Sequence, residues 1–336
     1  MKPVVTFGEI MMRLSPPLNY RFAQAHGLDI TYGGGDANVA ASLAGLGVPA
    51  AHVTCFPAND LGHAAAQHFR ALGVNLDAAV FDGDRLGLYF LEVGAGMRPS
   101  KVVYDRAHSA FAALDPARFD WNSILQGAGW LHWTGITPAI SASAAEATRQ
   151  AIAAARRLGL TVSADVNYRR NLWQYGQTAQ TVMSELVPGC DVVVCSENDA
   201  EDLFSIVPEP GTDNKFVSVA RQLMARFPQI RQVVTTRRKT HSASHNGLKG
   251  VLYDGQQFLE TPTYELNPIV DRIGGGDAFM AGFIYGSLTY DHPQQALTFG
   301  VAASALKHTI PGDLNRVTVA EVEEIMKGNT SGRLVR

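Results

Sequence analysis

The stretch Asp271-Arg-Ile-Gly-Gly-Gly-Asp-Ala-Phe-Met-Ala-Gly-Phe283 joins three consecutive glycines, one acid and a helix-like run from Ala278 to Ser287. Residues without Cβ let a backbone bend tightly and approach a ligand closely. The free N–H groups of the helix that follows, with the positive end of its dipole behind them, would face an anion. A turn built from Gly274, Gly275 and Gly276 with Asp277 at its lip suits phosphoryl transfer, in which a protein stabilises negative charge and positions a nucleophile. The same residues also read as a glycine-rich loop with Asp277 as an ordinary helix cap. Taken alone, the two readings weigh about equally.

A second glycine-rich segment, Gly33-Gly-Gly-Asp-Ala-Asn-Val-Ala40, would let a sugar approach the backbone, with Asp36 and Asn38 as hydroxyl partners. It lacks the glycine spacing of a dinucleotide-binding fingerprint and follows no convincing strand. By itself it reads equally well as a turn before a helix. Asn198-Asp-Ala-Glu201 similarly fits a helix N-terminus with an acidic first turn. His241 and His245 suggest a metal pair, but no neighbour completes a ligand set, so a polar loop is expected there.

The elements that must position these groups alternate. Val4 to Ile10, His52 to Phe56, Trp130 to Thr134, Leu160 to Asp165, Asp191 to Cys195 and Gln232 to Thr236 read as strands. Between them, Asn38 to Leu46, Leu61 to Leu72, Ser143 to Leu158, Thr178 to Leu186, Glu197 to Phe204 and Val217 to Phe227 read as helices. The pattern predicts an α/β fold, a mainly parallel sheet with helices on both faces. Ligands in such sheets sit at the carboxyl ends of the strands. Two segments break the rhythm, about 15–35 and 86–107, and together they could form a small β-sheet lid over that edge. A plain hairpin excursion explains the pattern equally well.

The 336 residues suffice for one large domain, expected over 1–327 with a frayed polar tail at 328–336. The chain is 46% hydrophobic and carries a net charge of −3, so no basic field recruits nucleic acid or an acidic membrane. Cys55, Cys190 and Cys195 read as buried reduced thiols, and no secretory signal or membrane span is visible. A cytoplasmic protein is the expectation.

In combination, Gly33 to Ala40, Asn198 to Glu201 and Gly274 to Phe279 resemble, in order and separation, the signatures of the ribokinase-like PfkB carbohydrate kinases. The resemblance spans Val4 to about Lys327. It implies that the first signature, with Gly34, Gly35, Asp36 and Asn38, binds the sugar. It implies that Asp277 is the general base, that the amides of Gly274, Gly275 and Gly276 form the anion hole, and that ATP is the donor. Asn198 and Glu201 would organise Mg²⁺ through water. Asn167, Ser196, Thr235 and Arg237 would join the nucleotide side, and a monovalent cation near Asp271 remains open.

Within the family, Tyr104-Asp-Arg106 together with Asp165-Val-Asn-Tyr-Arg-Arg-Asn-Leu-Trp173 resembles the 2-keto-3-deoxygluconate kinases. That likeness implies sugar-acid contacts at Gly34, Tyr89, Tyr104, Arg106, Ile136 and Arg169, with Asp313 at the far end of the substrate. A neutral sugar does not need two arginines, whereas a carboxylate is gripped bidentately by guanidinium. Arg272 stands where the family usually has Thr, and Thr235 to Asn246 is longer than the usual glycine turn. A homodimer joined through the lids is expected, since an unpacked lid would expose an edge and an apolar face.

Overall fold

Val4–Phe7 is apolar on alternate sides and buried throughout. In the computed structural model, which describes residues 1–330 and Gly332, this strand lies inside a nine-stranded sheet. It pairs in parallel with Ala50–Val53 on one side and Trp130–Thr134 on the other. The parallel ladder continues through Thr161–Asp165 and Val192–Val194 to Gln232–Ser242. There the direction reverses: His245–Tyr253 and Phe258–Glu260 add antiparallel, and Tyr264–Leu266 also pairs on His245–Tyr253.

Val5 and Phe7 pack with Leu131, Trp133 and Val162 on one face. Val4 packs with Ala50, Trp130 and Val192 on the other. Two buried faces with a period of two require helices on both sides, and the intervening helices supply them. All three cysteines are buried and unpaired.

A separate four-stranded sheet forms the lid, in the order Asp29–Gly33, Met11–Ser15, Leu88–Glu92, Lys101–Asp105. Its start corrects the sequence reading in two places. The first strand of the core ends at Phe7, and Met11–Ser15 belongs to the lid; Gly33 then closes a lid strand that leads directly into helix Gly35–Gly45. The change of sheet at Gly8 to Ile10 is hidden in the sequence, because apolar residues resume at once after Gly8 and Glu9. The tip of the lid rests on the core: the Gly96 amide donates to Ser244 Oγ at 3.0 Å, and the Ala243 amide to the Gly96 carbonyl at 2.8 Å.

The segment Thr235 to Asn246 is a second correction. It forms a β-hairpin, Gln232–Ser242 with His245–Tyr253, rather than a polar loop. The polar Thr and Arg side chains of Thr235 to Thr240 satisfy a strand because the returning arm His245–Tyr253 supplies the ladder. The tail expected to fray from Gly328 to Arg336 lies mostly outside the described residues.

Candidate active site

Helix Gly35–Gly45 carries Asn38, and helix Gly275–Thr289 carries Asp277 in its first turn; the two helices pack together. Their contact brings the two glycine-rich segments face to face. Asn38 Nδ2 donates to Asp277 Oδ2 at 2.7 Å. Burial raises the Asp277 pKa to about 6; the Asn38 bond pulls it down, and the Asp313 charge pushes it up. A carboxylate held there is mostly ionised near neutrality yet basic enough to accept a proton.

Beside it, Gly274 adopts φ +80°, and a Cβ would lie 1.8 Å from the Asp313 carbonyl oxygen, so only glycine fits. The Gly275 amide is committed to the Arg272 carbonyl at 3.3 Å. Among the described residues the amides of Gly274, Gly276 and Asp277 have no acceptor. These three N–H groups are therefore the ones free to meet an anion, and the Gly275 amide leaves the expected set.

Asp277, the turn, Gly34, Gly35, Asp36, Asn38, Tyr89, Tyr104, Arg106, Ile136, Asn167, Arg169 and Asp313 all line one cavity of about 310 Å³. Asp36 is buried, and its Oδ2 accepts from Thr134 and Thr137, each at 3.0 Å. Its Oδ1 is buried without a partner, and burial drives its pKa well above the ordinary carboxylate value. An orphaned acceptor on a cavity wall suits a substrate hydroxyl.

The two arginines expected to clamp a carboxylate differ. Arg106 is buried and ion-paired with Glu9, which also accepts from Ser109. Arg169 is exposed, bonds only to the Tyr168 carbonyl at 3.1 Å, and has no carboxylate partner among the described residues. Arg169 is the guanidinium with charge to spare. Asp313 is likewise committed: it accepts from Tyr89 and from Arg13 Nη1 at 2.6 Å, while Arg13 Nη2 holds Asp271 at 2.7 Å. Arg13 is a residue that sequence reading missed. Its partners lie some 260 to 300 positions away, as separations of 258 and 300 show.

On the nucleotide side, five expected residues lie off the cavity wall. Thr235 is buried within its strand, and Ser196 caps helix Glu197–Phe204. Asn198 and Glu201 are exposed on that helix. Arg237 is ion-paired with Glu197, its guanidinium lying over Phe216. Its neighbour Arg238 faces the opposite way and lines the cavity together with Arg272. A strand turns successive side chains to opposite faces, so the choice between Arg237 and Arg238 depended on a register that sequence does not show.

His308 Nδ1 lies 2.6 Å from the Ser304 carbonyl, which can only accept, so Nε2 is left to accept from Arg238 Nη2 at 3.2 Å. Burial, opposed by that carbonyl bond, lowers the His308 pKa to about 4, keeping it neutral. The protein around the Arg238 guanidinium, and then the Arg272 charge, lower its pKa to about 10. Neither arginine has a carboxylate partner among the described residues. His308 also lines a second, larger cavity of about 810 Å³, walled by Tyr264, Leu266, Val270, Leu306, Ile325 and Met326. A mainly apolar cavity thus adjoins the side of the first cavity that Arg238 and Arg272 line.

The model of the pfkB family of carbohydrate kinases matches residues 1–317. The chain belongs to this family. Among curated relatives of this family member, a 2-dehydro-3-deoxygalactonokinase of Haloferax volcanii is 34% identical over 98% of both chains. Among solved structures, a 2-dehydro-3-deoxygluconokinase from Thermotoga maritima is 42% identical, with a TM-score of 0.93 over 98% of this chain and 100% of that one. A PfkB family carbohydrate kinase from Listeria grayi is 36% identical, with a TM-score of 0.91 over 97% and 100%. The ribokinase-like fold expected from the sequence is the fold of these neighbours.

Two further acidic or metal-type groupings complete the picture. Asp165, at the end of Thr161–Asp165, has its pKa raised to about 7 by burial and then by the charges of Asp199 and Asp277. It was not singled out in the sequence, although its raised pKa and cavity position mark it. His241, His245 and Glu265 place one ligand atom each within 4.8 Å of one another. The third ligand arrives from strand Tyr264–Leu266, which sequence reading did not foresee. The 3.1 Å hydrogen bond between His245 Nε2 and Glu265 already engages two of the three with each other.

Proposed function

We propose that this chain is an ATP-dependent kinase that phosphorylates 2-keto-3-deoxygluconate on O6 to give 2-keto-3-deoxy-6-phosphogluconate. One observation carries the reading: a base, an anion-binding turn and an unpaired guanidinium face the same cavity. The activity named for the Thermotoga maritima relative supports it, and that named for the Haloferax volcanii relative, on the galactonate epimer, supports a keto-deoxy acid as substrate.

In this reading Arg169 takes the substrate carboxylate, with Tyr89 and Tyr104 beside it and Arg106 held by Glu9. Asp36 Oδ1 accepts a hydroxyl, and Asn38 orients Asp277. The terminal hydroxyl then lies between Asp277 and the turn. Its proton passes to Asp277 Oδ as its oxygen bonds to the γ-phosphorus, and the bond from that phosphorus to the β–γ bridging oxygen breaks, releasing ADP. The N–H groups of Gly274, Gly276 and Asp277 hold the oxygens of the phosphoryl group in flight.

The nucleotide base fits the apolar cavity, and its phosphates would pass His308 to reach Arg238, Arg272 and the turn. Asp165, crowded by two other carboxylates, fits a hard divalent cation, with Asn167 beside it and Asn198 and Glu201 reached through water. Mg²⁺ bound there with the triphosphate would neutralise phosphate charge.

The lid surface supports a homodimer. Ile30 and Val103 lie in register across the lid sheet, on one face, and expose 58% and 56% of their surfaces. So much apolar area on one small sheet marks an association face. A monomeric sedimentation profile at micromolar concentration would oppose this.

The deciding assay offers ATP and Mg²⁺ with 2-keto-3-deoxygluconate, its galactonate epimer, 5-dehydro-2-deoxygluconate, fructose and ribose. Preferred turnover of a keto-deoxy acid is expected. Preference for a neutral sugar would overturn the substrate assignment.

A further inference from the structure

Lys307 ends helix Pro293–Lys307, yet its side chain is fully buried. Its ammonium meets no carboxylate within bonding distance among the described residues. It donates instead to main-chain carbonyls, that of Ile310 at 3.1 Å and that of Asp271 at 3.4 Å. A cation near a helix C-terminus is commonly placed to meet the dipole. That role needs neither burial nor these partners, because both carbonyls lie outside the helix. A buried cation without an ion-pair partner is costly unless its charge has a use.

The use is visible in its surroundings. The Asp271 carbonyl opens the segment that leads into the anion turn. Burial lowers the Lys307 pKa, while Asp271 and Asp313 oppose that, Arg13 adds to it and Asp277 opposes it again. In return Lys307 is one of the charges that lower the pKa of Asp277. Its ammonium is therefore electrostatically joined to the base and sits behind the turn.

An ammonium held by carbonyl oxygens places the same single positive charge against them as a bound K⁺ or NH₄⁺ ion would. We propose that Lys307 is the built-in monovalent cation of this site, a positioning residue that fixes the Asp271 carbonyl and sets positive charge behind the turn. A dissolved monovalent cation is then not required. The inference rests on the reading that the turn from Gly274 to Asp277 holds the transferred phosphoryl group.

The test compares wild type, Lys307→Ala and Lys307→Met in choline, sodium, potassium and ammonium chlorides at equal ionic strength. Turnover and ATP affinity by calorimetry are both recorded, with thermal melting as a check of folding. Wild type should be indifferent to the cation. Lys307→Ala should lose about a hundredfold in turnover in choline, the scale of one missing transition-state donor. NH₄⁺ or K⁺ should restore part of that loss and tighten ATP binding, whereas Lys307→Met, with its space filled, should not respond.

A wild type that needs K⁺ would overturn the proposal, and this measurement stands even if the variants do not fold. So would a folded Lys307→Ala that keeps full activity in choline, or one that no cation restores. If wild type binds ATP but phosphorylates no sugar acid, the kinase assignment fails, while the cation dependence of ATP binding still judges Lys307.

Discussion

Asn38 Nδ2 donates to Asp277 Oδ2 at 2.7 Å although 239 positions separate them. The bond ties the first glycine-rich segment to the proposed base and stabilises that carboxylate in its charged form. Because burial raises the Asp277 pKa to about 6, activity should fall as pH drops through that value and the carboxylate takes up a proton. Removing the donor with Asn38→Ala should move the acid limb upward by about one unit, since a hydrogen bond to a charged group contributes roughly 1.5–3 kcal/mol. A kcat/KM profile measures it. An unmoved limb would detach Asn38 from the base.

Asp277→Asn keeps the shape and the Asn38 neighbour but cannot accept the proton. Turnover should drop by about 10²–10⁴-fold while sugar-acid affinity, read by calorimetry, stays near wild type. Near-native kcat would remove Asp277 from its role.

Arg169→Ala takes away the one unpaired guanidinium facing the sugar side of the cavity. KM for the keto-deoxy acid should rise on the order of a hundredfold, with little effect on residual turnover of a neutral sugar. An equal loss for both substrates would mean that Arg169 supports the loop and not the carboxylate.

Arg13→Met leaves Asp271 and Asp313 buried without their cation. Stranded buried charge costs about 3–5 kcal/mol, so a marked fall in melting temperature is expected. Burial raises the Asp313 pKa and Arg13 opposes that, so the variant should recover part of its stability as pH falls and Asp313 protonates. Stability equal to wild type at neutral pH would contradict the network.

Arg272→Thr restores the residue usual in the family and removes one of two unpaired cations beside the anion turn. KM for ATP should increase about tenfold, with the sugar-acid KM unchanged. His308→Gln, which removes the acceptor of Arg238, should have a smaller effect in the same direction. An ATP KM that does not respond to Arg272→Thr would place that side chain in solvent.

The residues themselves determined a good part of this protein. Glycines that admit close backbone approach, an acid after them, and strands alternating with helices are local properties, and they marked Asp277, Asn38 and the parallel sheet. Arg106 and Arg169 were also legible as cations, because residue type is enough to name a charge. What sequence could not show is which charges are already spent. Glu9 occupies Arg106, Arg13 and Tyr89 occupy Asp313, and Glu197 occupies Arg237, each through contacts distant in the chain. Tertiary structure alone also put Arg238 and Lys307 at the site, because strand register and burial decide where a cation points and whether water screens it. The anion turn was readable from glycine and acid; the set of charges left free to act on its ligand emerged only once the fold had paired off the rest.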